Sequence, residues 1–367
     1  MNKRERVLRT LEIKEPDRVP IMEMDIEVPL MEAIIGKKYP VTTSLQTQVI
    51  ADRELEKKRN DFRIECYKKL DFDVIAADLS APEYWKPKID SDGKLTDLWG
   101  RVLILDKQTK AWIPYGTLFN NPEDFDNFDF PDPNASGWTF SPEYSREVAG
   151  EEYALSTFIR DPFAQAWEML TPINFVKYLY QNPQFIEKVL DKITNFNIEI
   201  IKRIAETRTD FIISGGDWCE KQGPMVPTKI FDKMVFPNLK KQVDTAHRYG
   251  LKFVKHTDGN INPLLEGISN IADGLHSLDP SAGVDIGEVK EKYGDKLVLI
   301  GNVAVDNLAK NTQGEIAEET KEIIKKASPG GGHILSSSNS WASGSKLENC
   351  LVMIEIGRKF GVYPINT

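Results

Sequence analysis

From residue 153 onward, short runs of nearly continuous apolar residues alternate with longer stretches whose apolar positions recur every three or four residues. The runs fall at 153–157, 210–217 (DFIISGGD), 251–258 (LKFVKHTD), 272–279 (ADGLHSLD), 297–302 (LVLIGN) and 331–339 (GGHILSSSN). The periodic stretches predict helices over 161–180, 182–207, 227–249, 263–271, 287–293, 314–327 and 347–360. Pro162 lies near one helix start and Gly250 follows another helix end, as backbone geometry favours. Strands that are apolar on both faces and separated by helices imply a parallel sheet covered on both sides. Upstream, an amphipathic helix over 2–13 carries Val7, Leu8, Leu11 and Ile13 on one side and is halted by Pro16 and Pro20. A strand follows at 19–24, a charged helix at 52–70 and another strand at 72–77. Eight strands in all favour closure, so the expected fold class is α/β, a (β/α)8 TIM barrel. No GxGxxG follows a strand and no GxxxxGK[ST] occurs, which leaves an open nucleotide-binding sheet without support.

Residues 80–150 have another texture. WGRVLILDKQTKAWIPYGTLF reads as two strands about a turn at 106–109, and NNPEDFDNFDFPDPNASG as a surface loop. The segment has too few apolar residues for a core of its own. The expectation is one domain over 1–367, with 80–150 inserted after the second strand as a lid.

Composition narrows the partners. With 41% hydrophobic residues the chain can bury a core, and a net charge of -9 with no basic block argues against nucleic acid and anionic membranes. Three widely spaced cysteines, Cys66, Cys219 and Cys350, form no CxxC, and no stretch of 18 apolar residues occurs. A non-exported, cytoplasmic protein is therefore expected.

Barrel chemistry sits at the C-terminal ends of the strands. Those ends carry Glu23, Asp25, Asp78, Asp161, Asp217, His256, Asp258, Asp279, Asn302, Ser338 and Asn339. A set this acidic and polar on one face is the main sign of an enzyme. His256 and Asp258, at i and i+2, point to one face and could grip a single metal ion; the alternative is a turn-capping Asp beside a buried His. Asp217 follows a Gly pair that would let a ligand come close, as a general base or binding carboxylate, or is an ordinary helix cap. Asp279, in SLDP, is a turn residue or a ligand group. His276 reads as a core histidine, the glycines at 330–332 as a turn, and Cys219 as a free thiol.

The runs HTDGNINPLLEGISNIADGLHSLDPSAGVDIGEVKEKYGDKLVLIGNV, GGGHILSSSNSW and KLENCLVMIE, with NKRERVLRTLEIKEPDRVPI at the start, resemble the uroporphyrinogen decarboxylase-like superfamily. The resemblance spans nearly the whole chain, is weakest at 80–150, and implies a (β/α)8 barrel. Decarboxylases of that superfamily carry an Arg-rich segment after the first strand; here VPIMEMDIEVPLMEA has no Arg and would repel a polycarboxylate. Its corrinoid-linked methyltransferases hold zinc with a His-x-Cys pair, a later Cys and an acid between. By that resemblance the metal set is His256, Asp258, Asp279 and Asn339, with oxygen ligands at both thiolate positions. Either zinc is lost, or it sits in a harder site and polarises an ether oxygen more strongly.

The resemblance therefore implies an O-demethylase methyltransferase. It would move a methyl group from a methoxy-aromatic donor to the cobalt of a corrinoid carried by a partner protein, with zinc as Lewis acid. Asp217 and Glu23 would orient substrate or balance protons, and Trp85, Trp112, Trp218 and Asn302 would bind it. A second copy of the chain is a further candidate partner. The rival readings are a metal-free decarboxylase of a small acid, and a barrel that binds a corrinoid or tetrapyrrole without turnover.

Overall fold

The computed structural model describes residues 1–40, 52–106 and 112–365, so residues 107–109 of the expected turn lie outside it. The chain forms β1 (Val74–Asp78), β2 (Lys88–Ile89), β3 (Lys94–Thr96), β4 (Arg101–Leu105), β5 (Trp112–Thr117), β6 (Ala154–Arg160) and β7 (Phe211–Gly215). It continues through β8 (Cys219–Glu220), β9 (Gly223–Pro224), β10 (Lys252–Thr257), β11 (Gly274–Ser277), β12 (Val298–Ile300) and β13 (His333–Ile334). Seven of these make one parallel sheet in the order β1-β6-β7-β10-β11-β12-β13, curled in the manner of a TIM-like barrel.

Side chains alternate across the sheet. Val74, Ala154, Phe211, Ile213, Val254, Val298, Ile300 and Ile334 meet on one face. Ile75, Leu155, Ile212, Phe253, Leu275 and Leu299 pack outward into the large core that the helices share. Burial on both faces is why these strands read as continuous apolar runs.

The first expected strand, 19–24, is shorter than predicted. Pro20 has no N–H to give, and the segment makes single bridges instead of a ladder. Leu335 N donates to the Pro20 carbonyl at 2.9 Å and Met22 N to the Leu335 carbonyl at 3.0 Å; on the other side Asp73 N donates to the Ile21 carbonyl at 2.9 Å. Residues 20–22 thus touch both edges of the sheet. Buried Asp73 secures the seam, accepting from Ile21 N at 2.8 Å, Arg6 Nη1 at 2.6 Å and Arg18 Nη1 at 3.0 Å.

Two predicted helices are broken. The stretch 161–180 is two helices, Pro162–Leu170 and Pro172–Gln181, separated by Thr171 at φ 69°. The stretch 227–249 passes through a π-helical turn at Phe231–Val235 before its main helix, Phe236–Arg248. Helices at Val28–Ile35, Phe140–Ala149 and Val305–Lys310 were not anticipated. The glycines at 330–332 do form a turn, all at positive φ, and a Cβ on Gly331 would lie 2.4 Å from the Lys14 carbonyl carbon.

Between β1 and β6, strands β2 to β5 form a separate antiparallel sheet. Its own buried cluster is Leu95 and Leu103, so it depends on neighbours: Arg101 pairs with Glu168 at 2.5 Å and the Thr117 hydroxyl donates to the Met169 carbonyl. No helix among the described residues is long and apolar enough to cross a membrane.

Candidate active site

The site is built at the ends of two neighbouring strands. β7 and β10 pair with His256 opposite Gly215, which brings Asp217, two residues beyond β7, alongside Asp258. The Asp258 N–H donates to Asp217 Oδ1 at 3.2 Å. His256, Asp217 and Asp258 each offer one donor atom, and these three atoms lie within 4.8 Å of one another. His256 Nε2 is 3.9 Å from Asp258 Oδ1.

Two supports fix Asp258 and His256. The Asn339 amide donates to Asp258 Oδ2. The Ser277 hydroxyl donates to the Ser338 carbonyl at 2.6 Å, and Asp258 Oδ1 is buried with no hydrogen-bond partner among the described residues. On the other side of His256, its Nδ1 lies 2.7 Å from Nδ1 of His276 on the adjacent strand.

A third support lies beneath. Lys255 is fully buried and points away from His256. Its ammonium donates to the Gly216 carbonyl at 2.8 Å and the His256 carbonyl at 2.7 Å, lies 3.4 Å from Asp161 Oδ2, and sits 4.3 Å above the Trp218 ring. It ties the turn that presents Asp217 to the strand that presents His256. The Gly pair before Asp217 serves the protein's own packing: a Cβ on Gly215 would meet Phe158 at 2.1 Å and one on Gly216 would meet Ala164 at 2.3 Å.

Burial sets the protonation states. It pushes the Asp258 carboxyl up to about 6, with the Asp217 charge adding to the shift. It holds His256 well below its ordinary value, reinforced by His276 and by the Lys255 and Arg160 cations, and brings His276 down to about 4. Near neutral pH both imidazoles are therefore uncharged. A neutral imidazole and two close carboxylates, one with an orphaned buried oxygen, suit a divalent cation better than they suit one another. The donors fit a metal, and one of nitrogen and oxygen type.

The other sequence candidates fall elsewhere. Asp279 stands outside the group of three; its Oδ1 accepts from Ser281 N at 2.8 Å and starts a 3-10 turn. Asn339 acts here through Asp258. Glu23 has no exposed surface, and its two oxygens accept from the Ser337 N–H and hydroxyl, each at 2.7 Å. Enclosure pushes its carboxyl up to about 8. Trp218 is likewise enclosed, its indole N–H on Asp161 at 2.9 Å. Trp85 and Trp112 pack on Leu95 and Leu103 of the antiparallel sheet. Asn302 is 3% exposed and donates to the Leu278 carbonyl at 2.7 Å, tying two strand ends together. Of the remaining strand ends, Asp78 pairs with Arg63 at 2.6 Å and Asp161 caps the helix after it. Burial pushes the Cys219 thiol up to about 12, so it is not a thiolate.

The sequence pointed to Asp217 but not to its partnership with His256 and Asp258, which depends on β7 and β10 being neighbours. It missed the roles of His276 and Lys255. The signal for His276 was its matching place on the next predicted strand.

Curled parallel strands define an α/β protein of the TIM-like class, with the candidate donors gathered at the strands' C-terminal ends. The chain belongs to the uroporphyrinogen decarboxylase (URO-D) family, whose model matches residues 114–360. No curated protein matches it. Among solved structures it is similar to a methyltransferase from Methanosarcina mazei, at 18% identity and TM-score 0.77, covering 98% of this chain and 99% of that one. It is also similar to a sugar phosphate isomerase/epimerase from Parabacteroides distasonis, at 10% identity and TM-score 0.39, covering 88% and 99%. That second likeness is too distant to carry an argument.

Proposed function

We propose that the protein is a methyltransferase that moves a methyl group from an O-methyl donor of the methoxy-aromatic class to the cobalt of a corrinoid held by a partner protein. In this reading zinc is held by Asp217, His256 and Asp258. The observation that carries it is the gathering of these three donors with Asp258 Oδ1 buried and without a hydrogen bond among the described residues. Family membership and a methyltransferase of the same fold support it.

The chain's own groups divide the work. His256 presents Nε2 and the two carboxylates present oxygen, a donor set of net charge -2 that a divalent cation neutralises. Asn339 restrains Asp258 by holding its Oδ2, and Lys255 restrains the Asp217 turn from below. Asp217, His256 and Asp258 would hold the zinc, which when bound would supply Lewis acidity to the ether oxygen of the donor. Methyl transfer would form the carbon–cobalt bond with the electron pair of cobalt(I) as the carbon–oxygen bond breaks, its electron pair staying on the departing oxygen. The three cysteines are unpaired and buried, which fits the reducing cytoplasm.

The test joins metal analysis with turnover. The purified protein should contain zinc and should methylate cob(I)alamin from methoxyarenes, followed by its visible spectrum; H256A should lose both. Metal-free protein that transfers methyl groups equally well would sink this mechanism. Release of carbon dioxide from a small acid without a corrinoid would establish the decarboxylase instead.

A further inference from the structure

Two imidazole nitrogens 2.7 Å apart can be joined only by a proton, one ring donating and the other accepting. The rings of His256 and His276 are both buried, and their centroids are 4.8 Å apart. An uncharged imidazole has one N–H and one bare nitrogen, so a pair that shares one proton across this distance has two states. In the first, His276 Nδ1–H donates to His256 Nδ1, and His256 carries its own N–H on Nε2, facing the carboxylates. In the second, His256 Nδ1–H donates to His276 Nδ1. His256 Nε2 is then bare, and His276 carries its N–H on Nε2, where it is buried and meets no partner among the described residues.

Only the second state can give Nε2 to a metal. Without a metal the first is favoured on both counts: the carboxylates of Asp217 and Asp258 attract an N–H at His256 Nε2, and no N–H is stranded at His276. Metal binding must reverse this preference. We infer that His276 is a positioning residue that accepts the Nδ1 proton of His256 and so sets the tautomer in which His256 can hold a metal, the pair changing tautomer when the metal binds. The exchange balances: a proton leaves His256 Nε2, the shared proton passes from His276 Nδ1 to His256 Nδ1, and one is taken up at His276 Nε2. The inference rests on the metal reading above and adds to it a residue that touches neither metal nor substrate.

The readouts are tautomer and affinity. In long-range nitrogen–proton NMR spectra of protein labelled at its four histidines, the metal-free form should show His256 protonated at Nε2. The zinc-loaded form should show it protonated at Nδ1, with His276 bare at Nδ1. The same His256 tautomer in both forms, or a bare His256 Nδ1 with zinc bound, overturns the inference. In chelator competition with zinc chloride, H276L should bind zinc about 10- to 100-fold more weakly. H276N, whose carbonyl can take the same N–H, should retain most of the affinity while unfolding at a temperature similar to H276L without metal. Undiminished affinity in H276L overturns the role of His276 and leaves the metal reading standing. A wild-type protein that takes up no zinc overturns both. Should H276L fail to fold, the wild-type spectra decide.

Discussion

Asp258 is the residue at which the site's cost is concentrated. Its carboxyl is raised from 3.8 to about 6 by burial and by Asp217. A carboxyl raised on folding stabilises the native state when protonated, below about pH 4, and loses that contribution as pH climbs through about 6. That rise amounts to about 3 kcal/mol at full burial, and to less here because the side chain is 29% exposed. Metal-free D258N should therefore unfold at a higher temperature than wild type at pH 7.5, and the gap should close near pH 4. Zinc affinity of the wild type should decline below about pH 6, where a proton competes for Asp258; a metal titration across pH measures it. That His256 and Asp258 share a face was legible from their spacing alone. The enclosure of Glu23 was not: it lies at the same end as Ser337, just past β13, but the sequence does not show that both its oxygens are taken by that residue. Trp218 misled for a related reason, because sequence does not separate an aromatic that lines a pocket from one that covers a buried lysine.

At the level of elements, the pairing of β7 with β10 does most to make the site. Alternation of apolar runs and periodic stretches revealed the strands and most helices. It could not reveal that a π turn interrupts 227–249 or that Thr171 divides 161–180, since both breaks keep the apolar period on either side. It also could not give strand order, on which the meeting of Asp217 with Asp258 depends. Lys255 is the brace of this pair of elements. K255M should leave the Gly216 carbonyl and Asp161 without their cation and destabilise the protein by about 3 kcal/mol in urea unfolding. It should also lower zinc uptake, because the Asp217 turn is no longer tied to the His256 strand.

For the molecule as a whole, the parallel sheet was readable because both of its faces are buried, and the number of strands suggested that its edges would meet. The manner of meeting was not readable: a proline-containing segment of three residues bridges both edges, and a buried aspartate gripped by two arginines secures it. D73A should leave Arg18 without its carboxylate, leave Arg6 with Asp17 alone and free the Ile21 amide, at a cost of about 3–5 kcal/mol in urea unfolding. Loss of the seam should also make the opening stretch, residues 1–22, the first to exchange its amide hydrogens.

The seam also governs how the chain could be re-threaded. Arg18 bridges Val362, Tyr363 N donates to the Asp17 carbonyl, and the amino group of Met1 reaches the carboxylate of the same Asp17. The beginning of the described chain and its last described turn therefore converge on one residue, at the strand N-termini and opposite the mouth. A short linker could join them, and the polypeptide could be opened afresh in an exposed turn of the antiparallel sheet. Such a circular permutant would keep every donor of the candidate site on its original strand and present two new ends, away from it, for attaching a second protein.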